Sequence, residues 1–171
     1  MWMSLACFMA ASLIIEATTC TAGVVFGSRP LWLFGPGWEE DLDSPATRDV
    51  ERLGRLLDAL PWQRLVPSSL AGMRQLVTAG QGIAGSTERV RAAATPEGDL
   101  LLAYVPPGGG GPRSIVVDTG ALAGPATARW FSPGTGAFVP VGQVPPSGRR
   151  WFTTPGGAAR EDDWLLVLEV S

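Results

Sequence analysis

The sequence contains no histidine and no lysine, so all 13 of its basic residues are arginine, and it has one tyrosine, Tyr104. These absences remove whole classes of chemistry. Without histidine there is no Ser-His-Asp triad, no Cys-His pair, no imidazole base and no His-ligated zinc. Without lysine there is no Schiff base. What remains for proton transfer is Asp and Glu, and paired carboxylates are the tools of glycoside hydrolysis. No residue set implies a cofactor or a metal ion. The 2 cysteines, Cys7 and Cys20, do not make a disulfide framework. They read as buried thiols in an apolar segment.

Charge of one sign is also scarce. The 13 basic residues face 16 acidic ones, for a net charge of −3. With no basic excess to neutralise phosphates, nucleic acid is excluded as a partner. The composition is 46% hydrophobic and 17% charged, enough for a packed core. The longest apolar run, Met1 to Ile15, is interrupted by Glu16 and falls short of the roughly 20 residues that span a bilayer. No basic residue precedes Arg29, so the basic start of a signal peptide is missing. Leu5, Phe8, Met9, Ser12, Leu13 and Glu16 recur near helical spacing and predict a buried helix over 3–17. No membrane contact follows from this pattern.

The chain divides near residue 85. The first part reads as helix, short buried strand (Thr21 to Phe26), loop and helix. Gly35-Pro36-Gly37 breaks the chain inside an aromatic cluster of Trp32, Phe34 and Trp38. Ser44 is a good N-cap with Pro45 at the first helical position, where its missing N–H costs nothing. Val50, Leu53, Leu56, Leu57 and Leu60 form one apolar stripe, and Pro61 ends it. Residues 61–85 read as a connecting stretch.

Beyond residue 85 the pattern changes to short strands punctuated by Gly and Pro. The expected strands are Arg89–Ala94, Leu100–Val105, Ser114–Asp118, Ala126–Phe131, Ala137–Val141, Arg150–Thr154 and Trp164–Val170. Their regular spacing predicts an antiparallel β-sandwich. Trp130 and Trp164 alternate with apolar neighbours and belong to its core. Trp151 and Phe152 are adjacent and must face opposite sides of a strand. Tyr104 sits on a strand with its hydroxyl expected at the rim. The run Gly108 to Gly111 lacks a following Lys and helix, so it reads as a loop tip and not a phosphate cradle.

Four segments in order carry a family resemblance: Leu102-Ala103-Tyr104-Val105-Pro106, Val116-Val117-Asp118, Trp130-Phe131-Ser132-Pro133-Gly134-Thr135-Gly136 and Asp163-Trp164-Leu165-Leu166-Val167-Leu168. They resemble the C-terminal β-sandwich of apiosidase-like glycoside hydrolases, which carries a collagen-binding label. Upstream, Gly23-Val24-Val25-Phe26-Gly27, Leu31-Trp32-Leu33-Phe34 and Gly37-Trp38 resemble the last strand and loop of that family's (β/α)8 barrel. Leu42-Asp43-Ser44-Pro45 then resembles the opening of the last barrel helix. Pro61-Trp62-Gln63-Arg64-Leu65-Val66-Pro67 resembles the exit into the sandwich. The family usually has Tyr where Phe26 stands, so a hydroxyl is lost here.

The resemblance implies an α+β chain: residues 1–85 as the end of a (β/α)8 barrel, and 86–171 as the sandwich. A whole barrel needs roughly 250 residues, and no residue here matches the family's acid and nucleophile. The resemblance therefore implies a glycosidase tail without catalytic residues, inactive by itself. Glu39-Glu40-Asp41 and Glu161-Asp162-Asp163 read as solvated turns. Barrel sites lie at the C-terminal strand ends, which makes Trp32, Trp38 and Arg29 the candidate substrate contacts. Indole faces suit sugar stacking, and Arg29 could donate to a substrate hydroxyl; loop packing is the other reading of all three. The implied partners are a plant-type glycoside or polysaccharide, or collagen. The resemblance points to a bacterial protein, extracytoplasmic or cytoplasmic. A stand-alone binding module is the alternative to a bracing sandwich, and a large apolar patch shared between residues 45–66 and the strands would favour bracing.

Overall fold

The computed structural model describes residues 34–108, 111–156 and 163–170. The expected helix over 3–17, the strand from Thr21 to Phe26, both cysteines, Arg29 and Trp32 lie outside them.

The first long element is helix α1, Pro45–Asp58. The Ser44 hydroxyl accepts from the Thr47 N–H at 3.3 Å, and Pro45 occupies the first turn. The helix closes at Ala59, ahead of Pro61, which caps a short 3-10 turn over Trp62–Arg64.

Among the described residues nine strands follow, all paired antiparallel. They are β1 Val66–Pro67, β2 Val77–Ala79, β3 Arg91–Ala94, β4 Leu100–Val105, β5 Ser114–Asp118, β6 Ala126–Phe131, β7 Phe138–Val144, β8 Arg149–Thr153 and β9 Trp164–Val170. The larger sheet has the order β1-β3-β4-β9-β6-β7, and the smaller β2-β5-β8. The expected strands are present, four of them with the predicted ends. Residues 61–85 are more than a connection, because β1 and β2 lie within them and edge one sheet each.

The central strands of the larger sheet are buried on both faces. Leu101, Ala103 and Val105 of β4 and Trp164, Leu166 and Leu168 of β9 face the smaller sheet, where Ile115, Val117 and Phe152 meet them. Their alternate neighbours Leu100, Leu102, Tyr104, Leu165 and Val167 face the other way, onto Leu53, Leu56, Leu57 and Leu60 of the helix segment. This explains why β4 and β9 read as nearly continuous apolar runs and not as alternating ones. Each leucine of the helix stripe contributes about 1.5–3 kcal/mol by leaving water. The layers are helix, larger sheet and smaller sheet. Among the described residues there is one α-helix and no parallel strand pair, so no barrel unit is seen.

The helix is also fixed through its polar groups. Arg52 donates to the Gly134 carbonyl at 2.6 Å while paired to Asp49 at 2.8 Å. The Trp130 to Gly136 segment therefore ends in a turn that the helix holds from above. Gly136 takes φ +74° there, and its N–H bonds Ser132 O at 2.7 Å.

Candidate functional site

The carboxylates come first, because they are the available chemistry. Arg64 donates to both Glu97 and Asp99 at 2.8 Å across the β3–β4 turn. The Arg64 hydrogen bond holds Glu97 below its ordinary value, and hydrogen bonds from Thr95 and then Arg64 do the same for Asp99. The Arg48 fork lowers Asp43. A glycosidase acid needs the opposite shift, a proton held to higher pH by burial. Asp118 pairs with Arg74 at 3.4 Å, and Glu169 with Arg129. Glu39 and Glu40 are exposed at the turn before α1, as expected of a solvated turn. In the second cluster only Asp163 is described, and it is buried, 3.4 Å from the Tyr104 hydroxyl. Tyr104 is therefore not a rim residue: its strand lies between the helix and the smaller sheet, and its hydroxyl is enclosed.

Two hollows lie beside β1. One of about 360 Å³ is lined by Ser68, Gln75, Gln81, Arg89 and Arg91 among others. The other, of about 470 Å³, is lined by Met73, Arg74 and Thr95 among others. Neither lining includes a carboxylate.

Of the candidate substrate contacts, Trp38 is described. It is partly buried on the turn leading to α1 and meets Phe34 edge to face at 5.2 Å. Phe34 itself is 73% exposed. The two rings make a small aromatic projection beside the helix start.

The sequence reading did not select the solvent face of the smaller sheet. Phe152 points into the core and Trp151 points out, 70% exposed. The register sets three cross-strand pairs on that outer face: Ser114 with Thr153, Val116 with Trp151, and Asp118 with Arg149. The Ser114 and Thr153 hydroxyls share a hydrogen bond at 2.8 Å. Val116 is only 6% exposed although it faces outward, and the indole stands directly opposite it in register. The result is an aromatic surface flanked by hydroxyls on one side and a guanidinium on the other. The only sequence signal for it was the adjacency of Trp151 and Phe152, which requires opposite faces without saying which ring is wet.

Comparison with known proteins places this fold. Residues 75–169 match the family model described as “Putative collagen-binding domain of a collagenase”. No curated protein matches the chain. Among solved structures, one titled “Glycoside hydrolase” is 20% identical with a TM-score of 0.63, over 88% of this chain and 29% of its own. A glycoside hydrolase family 5 structure from Bacteroides vulgatus ATCC 8482 is 21% identical, also with a TM-score of 0.63, over 86% of this chain and 29% of its own. The chain thus spans less than a third of either structure's length.

Proposed function

The chain belongs to the family described as “Putative collagen-binding domain of a collagenase”, and from that membership we propose that it is the accessory β-sandwich of a glycoside hydrolase, bracing the enzyme's catalytic barrel. The observation that carries this reading is the apolar seam between α1 and the larger sheet. Leu53, Leu56, Leu57 and Leu60 are all buried against Leu100, Leu102, Tyr104, Phe131, Leu165 and Val167. A binding module tethered by a flexible linker would have no reason to bury a helix stripe of its neighbour. A brace needs such a seam.

The finer reading is that the parent enzyme is apiosidase-like and that the residues before β1 form the end of its (β/α)8 barrel. In that reading α1 is the last barrel helix and the sandwich runs from β1 onward, since β1 and β2 edge its two sheets. Supporting it, the structural likeness extends over 88% of the chain, more than the family model's 75–169 stretch. Trp32, Trp38 and Arg29 would then stand at the barrel rim, where strand ends meet substrate, and contact a plant-type glycoside. Catalytic carboxylates would come from the rest of the enzyme.

The test is a longer enzyme carrying this sandwich, compared with the same enzyme lacking residues 86–170. The thermal midpoint of its catalytic part should fall while turnover of a small soluble glycoside persists at low temperature. An unchanged midpoint with lost retention on insoluble polymer would overturn bracing and favour a binding module.

A further inference from the structure

The bracing role uses one side of the molecule, the face of the larger sheet that carries α1. The outer face of the smaller sheet lies on the opposite side and has no part in it. We propose that this second face is a binding site for an acidic polysaccharide, with Trp151 stacking on a sugar ring and Arg149 holding the carboxylate of a neighbouring uronate unit.

A lone exposed leucine or valine would need no explanation, but an indole 70% exposed in the middle of a strand does. Trp combines a large apolar face with an N–H donor and loses little conformational freedom on contact, so it dominates binding surfaces. Its face suits the C–H-rich side of a pyranose ring. Val116, itself 6% exposed, is the indole's neighbour directly across the strand pair.

Charge selects the kind of sugar. The chain carries a net charge of −3, and the cation beside the indole on this face is Arg149, paired in register with Asp118. Arg149 lies two residues from Trp151 on the same side of β8, about 7 Å along the strand. β8 is an edge of the smaller sheet, and Arg150, exposed on the same strand, lies on the other side of it with Phe152. Among the described residues Arg149 has no ion pair, whereas Asp118 across from it is engaged by Arg74 at 3.4 Å and by the Gly120 N–H at 3.0 Å. A guanidinium fork matches a carboxylate with two parallel hydrogen bonds. The Ser114 and Thr153 hydroxyls on the other flank supply donors and acceptors for ring hydroxyls. A collagen triple helix would offer imino rings to the indole but no carboxylate at each unit to Arg149.

The test titrates the chain, followed by calorimetry, with an oligogalacturonate and with the same oligomer methyl-esterified. The acid form should bind saturably, weaken as salt is raised, and bind about tenfold or more tightly than the ester. Trp151→Ala should weaken binding by about tenfold or more, with Trp151→Phe retaining part of it. Arg149→Gln should bring the acid form down to the ester's affinity. Arg149 is exposed, so that variant remains informative even if Trp151→Ala unfolds, which a thermal scan reports. Equal affinity for acid and ester, wild-type binding by folded Trp151→Ala, no binding, or retention on fibrillar collagen with none on the glycan would each overturn the proposal. None of these outcomes bears on bracing, which is read from unfolding of the catalytic part.

Discussion

At φ +74° Gly98 turns the chain between β3 and β4, and a Cβ built there would lie 2.5 Å from the Ala121 carbonyl oxygen. The contact is backbone on backbone, fixed by the Ala123 N–H bonded to Gly98 O at 3.0 Å, so the neighbour cannot yield. Gly98→Ala should cost about 2 kcal/mol and lower the urea midpoint. Gly54 is the opposite case. It lies inside α1 with open space where a methyl group would stand, and Gly54→Ala should raise stability by about 0.8–1 kcal/mol in the same measurement. The Pro96-Glu97-Gly98-Asp99 turn was legible as a turn, but the close approach of residue 121 was not, because it joins segments distant in sequence. Trp151 and Phe152 follow the same logic: alternation requires opposite faces, and only the position of the larger sheet decides that Phe152 is the buried one.

The connection after α1 is held by one arginine. Arg64 bridges Glu97 and Asp99 on the hairpin turn, linking the helix exit to β3 and β4. Both carboxyls lie below their ordinary values of 4.5 and 3.8 in the folded chain, Glu97 through Arg64 first and Asp99 through Thr95 first. A depressed folded value means the unfolded chain binds protons more readily. The stabilisation is therefore complete above the ordinary values and is lost as pH falls through the depressed ones. Urea midpoints measured from pH 6 down to about pH 2 should decline for the native chain, and Arg64→Gln should flatten that decline. The pairs are exposed and should respond to salt. Among the elements themselves, α1 announced itself by Ser44, Pro45 and its leucine stripe, and β4, β5, β6 and β9 by β-rich runs between turn residues. β1 and β2 were hidden. Val66–Pro67 and Val77–Ala79 are too short for any period to show, and their partners are Ala93 and Ala94 in one case and Val116 and Val117 in the other.

On the scale of the molecule, α1 and the smaller sheet pack on opposite sides of one larger sheet, whose central strands β4 and β9 are buried on both. A piece limited to residues 75–169 would lack α1 and β1 and expose Leu100, Leu102, Tyr104, Phe131, Leu165 and Val167. It should associate in sedimentation and unfold at a lower temperature than the full chain, since an apolar face of that extent does not stay in water. The free edges are guarded by other means. β7 carries Pro140 and a register shift beside Ala128 and Arg129, and β1 contains Pro67, devices that discourage strand pairing between copies. The absence of histidine and lysine, the Gly and Pro punctuation, the apolar runs and the capped leucine stripe by themselves determined the classes of chemistry ruled out, the sandwich, the limits of β4, β5, β6 and β9 and the helix, since these depend on residue type and short-range period. The burial of both faces of β4 and β9, the enclosure of the Tyr104 hydroxyl, the pairing of β1 and β2, and the exposure of Trp151 beside Arg149 were decided only by the tertiary structure. Each depends on which distant segment packs opposite, and local residue preference carries no record of that.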